Sequence, residues 1–109
     1  MAHDDALAQR IRQALSRRKG IEEKKMFGGV GFLLNGNMLV GVWKEFLIVR
    51  LGPDLGEEAL RESHVKPMDI TGKPMKGWLM VERAGCEDDD QLSGWIQRAT
   101  DFVKTLPKK

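Results

Sequence analysis

The chain has 109 residues, a length that predicts one domain able to bury about two-thirds of the surface its unfolded form exposes, enough for a core without staples. Lysine and arginine number 18 against 16 aspartates and glutamates, an excess too small to mark a dedicated nucleic-acid binder. Cys86 is the only cysteine, which excludes an intrachain disulfide; the stretch around Asp4 and Asp5 lacks the apolar run of a secretion signal or membrane span, so a reducing, cytoplasmic setting is expected.

Asp4 or Asp5 can accept the free backbone donors of a first helical turn. Leu7, Ile11, Ala14 and Leu15 recur at steps of three and four, which predicts an amphipathic helix to about Arg18, closed by Gly20. Strand character follows from Glu22 to Phe27, breaks at Gly28-Gly29 and resumes from Val30 to Leu34. Asn35-Gly36 is the sharpest local signal, because both residues tolerate the positive φ of a type I′ turn. Asn37 to Trp43 forms the return strand and Lys44-Glu45 a second tight turn. Phe46 to Leu51 then alternates Phe46, Ile48 and Arg50 against Leu47, Val49 and Leu51. Consecutive short connections imply an antiparallel meander.

Gly52-Pro53-Asp54 opens a short helix with Asp54 and Glu57 at capping-box spacing and Leu55, Ala59 and Leu60 as its apolar face, weakened by Gly56. Val65 to Ile70 and Trp78 to Glu82 read as two more strands, joined by a loop whose glycines and proline forbid regular structure. In the last helix Asp88 and Gln91 have capping spacing, and Leu92, Trp95, Ile96, Ala99, Phe102, Val103 and Leu106 keep a helical period until Pro107. Helix, strand meander, short helix, two strands, helix predicts a two-layer α+β domain on an antiparallel sheet of five or six strands.

Groups suited to catalysis are scarce: two histidines, one cysteine and no tyrosine. His3 lies at the terminus and His64 suits the carbonyls ending the short helix, while the acids from Glu87 to Asp90 disfavour a Cys86 thiolate and read as helix caps. There is no Cys-x-x-Cys or His-Glu-x-x-His, and Gly28 to Gly31 lies between strands without dinucleotide or phosphate-loop spacing. No catalytic, cofactor or metal site is therefore expected, and the chain is not expected to be an enzyme.

Three other features bear on binding. Lys24, Lys25, Lys73 and Lys76 flank the two glycine-containing connections, whose glycines read first as places for a bulge or close packing. Arg50, charged on an otherwise apolar strand face, must reach solvent or pair, with Asp69 as one partner. Met75 beside Trp78 reads as a partly exposed contact patch. Separately, Arg10, Arg12, Arg17, Arg18, Lys19, Lys24 and Lys25 form an early basic cluster, read first as a solvated helix face.

The run EKKMFGGVGFLLNGNMLVGVWKEFLIVR from Glu23 to Arg50 and PMDITGKPMKGWLMVE from Pro67 to Glu82 resemble the N-terminal domain of the TfoX/Sxy family, named after bacterial competence regulators. With the terminal helices the resemblance covers nearly the whole chain. It implies that residues 1–109 are a single TfoX N-terminal-like domain without the C-terminal domain of full-length members, acting by protein contact in a process linked to transcription regulation. The candidate interaction residues are Lys25, Gly28, Gly29, Arg50, Lys73, Met75, Lys76 and Trp78. A second reading gives direct nucleic-acid contact to Arg12, Arg17 and Arg18, and a third places a small-ligand or enzyme site near the Gly28 and Gly72 loops. A protein partner is expected and a membrane is not; an open antiparallel sheet also has edges that make a homodimer possible.

Overall fold

The structure is a computed structural model and describes residues 4–26, 28–69 and 75–108. Phe27, Ile70, Gly72 and Lys73 of the sequence reading lie outside the described residues.

Helix α1 spans Asp5–Ala14, capped by Asp4, whose Oδ1 accepts the Leu7 N–H at 3.1 Å. Leu7, Ala8 and Ile11 are buried, with Ala8 taking the place expected of Ala14, which is exposed. The helix ends before Arg18. Beyond Leu15 the chain tightens into i→i+3 bonds, Ser16 N–H to the Gln13 carbonyl and Arg18 N–H to the Leu15 carbonyl, and Arg17 and Arg18 stand exposed on that turn.

Among the described residues six strands form one antiparallel sheet: β1 Ile21–Met26, β2 Gly29–Leu34, β3 Asn37–Trp43, β4 Phe46–Arg50, β5 Val65–Pro67 and β6 Trp78–Val81. Their spatial order is β1-β2-β3-β4-β6-β5. Asn35 and Gly36 sit at φ 53° and 85°, as the turn between β2 and β3 requires. Gly29 opens β2 instead of interrupting the sheet, and a Cβ there would lie 2.0 Å from the Val42 carbonyl oxygen, so only glycine fits. Phe32 faces Val40 while Leu33 faces Met38, which leaves Leu39 as an extra residue in β3. That bulge turns both Leu39 and Val40 into the same core. The strand expected to run on from Val65 ends at Pro67, which has no N–H for the ladder, and only the Met68 N–H, 3.3 Å from the Trp78 carbonyl, carries the pairing further.

Helix α2, Pro53–Ala59, corrects the sequence reading. Its cap position is Gly52 with no side-chain acceptor, because Pro53 takes the first turn and puts Asp54 inside the helix, so the Asp54 and Glu57 capping box does not form. Leu55 and Leu60 are 47% and 39% exposed, and the buried contacts come from Gly56 and Ala59. A Cβ on Gly56 would lie 2.9 Å from the Gly77 Cα, so this glycine lets α2 approach the backbone entering β6. Helix α3, Asp89–Val103, has the expected reciprocal cap: Gln91 N–H donates to Asp88 Oδ1 at 2.8 Å and Asp88 N–H to Gln91 Oε1 at 3.2 Å. It ends at Val103, short of Pro107.

All three helices contribute to the core on one face of the sheet, α1 through Ile11, α2 through Ala59 and α3 through Trp95, Ile96 and Val103, against Phe32, Leu39, Leu47, Val49, Leu79 and Val81. Each such large apolar side chain stabilises the fold by about 1.5–3 kcal/mol on burial, more than the roughly 1 kcal/mol of a helix cap, so packing decides the architecture and caps set the ends. The opposite face carries a second cluster of Ile48, Met68 and Met80, with Trp43, Phe46, Met75 and Trp78 around it. No described helix places a residue in that cluster, although α2 borders its Met75–Trp78 end through Gly56, Glu57 and Leu60.

Candidate functional site

Strand alternation builds the helix-free face. Phe46, Ile48 and Arg50 of β4 point away from Leu47 and Val49, and the register sets Phe46 beside Trp43, Ile48 beside Met80 and Arg50 beside Trp78. The face thus has an aromatic end, a methionine middle and an arginine end. Trp43 and Phe46 stack with centroids 6.2 Å apart. Met75 is held against Met68 by its own backbone, its N–H donating to the Met68 carbonyl at 2.9 Å, while Trp78 N–H donates to the Met75 carbonyl at 3.1 Å.

Every ring of this face carries a cation. Lys44 Nζ lies 4.6 Å from the Trp43 centroid, Lys66 Nζ 5.4 Å from that of Phe46, and the Arg50 guanidinium carbon 5.0 Å from that of Trp78. Arg50 also lies 5.9 Å from the Phe102 ring of α3. It is half-buried and burial lowers its pKa, yet among the described residues no carboxylate or hydrogen-bond acceptor meets it. The expected Asp69 partner is exposed beyond β5 and does not pair with it. Both rings lie within cation–π distance of a guanidinium whose N–H donors meet no acceptor among the described residues, a group able to pair with a carboxylate or another planar anion.

Of the sequence-derived interaction residues, Arg50, Met75, Lys76 and Trp78 come together at the arginine end, with Lys76 exposed. Lys25, Gly28 and Gly29 do not join them. They lie at the β1–β2 turn, on the far side of β3 and β4 and at the opposite end of the strands, because Val30 is in line with Val42, Leu47 and Val81. Four strand spacings of about 4.8 Å separate β1 from β6. Among the described residues Gly28 and Gly29 therefore lie apart from Met75, Lys76 and Gly77, while Gly72 and Lys73 of the second connection lie outside the described residues. Trp43, Phe46, Lys44 and Lys66 are the contributors that the sequence reading missed. Their signal was present in the alternation of β4, since Phe46 shares its parity with Ile48 and Arg50.

The early basic cluster is partly neutralised. Arg12 holds Glu23 in two parallel bonds, Nε to Oε1 at 2.8 Å and Nη2 to Oε2 at 2.7 Å, also donates to Gln9 Oε1, and its pKa is raised chiefly by the Glu23 bond. Arg10 donates to the Cys86 carbonyl at 3.1 Å and to Asp89 at 3.2 Å. Arg17 and Arg18 remain solvent-exposed.

Elsewhere the chemistry is self-satisfied. Cys86 is buried, which pushes its thiol pKa up against the opposing pull of Arg10, and its Sγ donates weakly to the Glu82 carbonyl at 3.6 Å. An open depression of about 600 Å³ between the turn after α2 and α3 has Arg98 stacked on Trp95 and bonded twice to Glu62. Among the described residues no three His, Cys, Asp or Glu side chains lie close enough to share a metal ion, and no helix is long and apolar enough to cross a membrane.

The family model of the TfoX N-terminal domain matches residues 4–103. No curated protein and no solved structure matches the chain. With nearly all of its length matched, the chain belongs to the TfoX N-terminal domain family.

Proposed function

We propose that this TfoX N-terminal domain protein is a non-catalytic regulatory module, similar in role to the competence regulators of its family and linked to transcription regulation, that works by docking a protein partner on the helix-free face of its sheet. The observation that carries the reading is the layer of Trp43, Phe46, Met75 and Trp78 over Ile48, Met68 and Met80, overlaid by cations of which Arg50 lacks a carboxylate partner within the described residues. Methionine and tryptophan together make an adaptable, large-area contact, and the cations give it orientation. Direct nucleic-acid binding through Arg12, Arg17 and Arg18 has less support, because Arg12 and the neighbouring Arg10 are already held by carboxylates. An enzymatic reading has less still, with the one thiol buried and its pKa pushed up by that burial.

Photo-crosslinking in the native host tests the docking. Benzoylphenylalanine replaces Phe46 or Lys76 on the helix-free face and, as a control, Ser93 on the exposed side of α3. A discrete protein adduct from positions 46 and 76 and none from 93 is the expected result. Adducts to nucleic acid, or equal labelling from all three positions, would refute the reading.

A further inference from the structure

We infer that the occupant of the helix-free face is a short, acidic, amphipathic helix of a partner protein, with one of its carboxylates chelated by Arg50. This rests on the docking role proposed above and names the partner's chemistry.

Dimensions and charge both point to that segment. From Phe46 to Arg50 the face runs the five residues of β4, four steps or about 13 Å, which is the reach of two to three helical turns and of apolar anchors at i, i+3 and i+7. The apolar strip lies in the middle and cations stand at both ends, Lys44 and Lys66 over the aromatic pair, Arg50 and Lys76 beside Trp78. Lys66 is shared with Glu82 at 3.4 Å, whereas Lys44, Arg50 and Lys76 have no carboxylate partner among the described residues. An apolar stripe with acids before and after it complements this order.

A helix fits better than an added strand. Edge pairing is obstructed on both sides of the sheet: β1 carries Glu22, Glu23, Lys24 and Lys25 in succession, and β5 is three residues long and ends in proline. A helix brings its backbone already satisfied and would form on this face the second layer that α1 and α3 form on the other. The protein's own α2 is short and acidic, yet it is a poor occupant for the same face of a second copy. Leu55 and Leu60 are five residues apart and leave the helix about 140° from one another, so they make no single stripe.

The test uses the whole protein and a synthetic helix-forming peptide of about 14 residues, with leucines at i, i+3 and i+7 and glutamates flanking them at both ends. The readouts are the NMR signals of the Arg50 Nε–H and the indole N–H groups, with light scattering on the same sample. Trp95, whose indole donates to the Gly85 carbonyl at 3.0 Å on the helix-covered side, serves as the internal reference. The peptide is expected to move Trp43, Trp78 and Arg50 and to leave Trp95 in place. Replacing its glutamates by glutamine should weaken binding about tenfold, and Arg50→Gln about as much, with Arg50→Lys restoring only part because lysine lacks the bidentate fork.

Equal binding of the glutamine peptide, tighter binding of a 15-nucleotide oligo-thymidine to the same signals, or a dimer that buries Trp43 and Trp78 would each overturn the acidic-helix assignment. A peptide that moves nothing, while crosslinks from positions 46 and 76 still reach a protein, sinks the acidic helix and leaves the docking reading standing. Absence of both sinks both.

Discussion

The two faces of the sheet are made by the same strands and finished in different ways. On one, Leu47, Val49, Leu79 and Val81 meet aliphatic and aromatic side chains of three helices, and the large residues there are almost completely removed from solvent. On the other, the residues between them in sequence, Phe46, Ile48, Arg50, Trp78 and Met80, belong to a layer one side chain thick, with its aromatic rings half-buried and overlaid by cations. The first arrangement is complete within the chain. The second retains apolar area and charge that a further layer would use, so the docking role we propose allocates folding and recognition to opposite sides of one sheet.

The largest expected effect tests that allocation directly. Phe32 is 1% exposed on the covered face, and Phe32→Ala should lower the unfolding free energy by about 3–5 kcal/mol through lost burial and the cavity left behind. Phe46→Ala, the same change on the half-exposed aromatic end, should cost less than half of that. Urea unfolding of the two variants provides the comparison. Equal losses would mean that both faces are core, and the distinction would collapse.

A smaller effect sharpens the contrast from the covered side. Gly94 lies in the middle of α3, where a Cβ would meet nothing within 4 Å, so no close approach requires glycine. Gly94→Ala should therefore raise stability by about 0.5–1 kcal/mol by reducing the freedom of the unfolded chain and improving helix propensity. Binding at the helix-free face should not change. A thermal midpoint that rises together with a weakened peptide affinity would show that α3 and the helix-free face are coupled after all.

Much of this was legible in the sequence, for reasons that separate local from global information. The Asn35-Gly36 turn, the Asp88 and Gln91 cap and the alternation of β4 are set by residues within a few positions of one another, and each reads correctly from the chain. Gly29 and Gly56 were legible only as glycines. Their reasons, the Val42 carbonyl and the Gly77 backbone, are contacts made across the fold. In helix α2 Ala59 is buried as expected, but Leu55 and Leu60, which have the composition of a buried face, are exposed and Gly56 joins Ala59 in their place; which side of a short helix is covered depends on where the sheet lies. The candidate site divided in the same way. Arg50 stood out as a charge on an apolar strand, but that its neighbours are Trp78 and Phe102 instead of Asp69 follows from register and from the end of α3.

Arg50 also gives the smallest expected change in stability. A structural ion pair at a half-buried position would make its removal costly, because the remaining carboxylate would be stranded. No such carboxylate exists among the described residues, and burial already disfavours the charged guanidinium. In Arg50→Gln the loss of the contacts to Trp78 and Phe102, about 1 kcal/mol for a half-buried cation over a ring, is offset by relief of that desolvation, so the unfolding free energy should stay within about 0.5 kcal/mol of the original. A loss several times larger, measured by urea unfolding, would make Arg50 part of the scaffold. Unchanged stability with lost peptide binding would mean that this charge is retained at the cost of its own desolvation for a partner outside the chain.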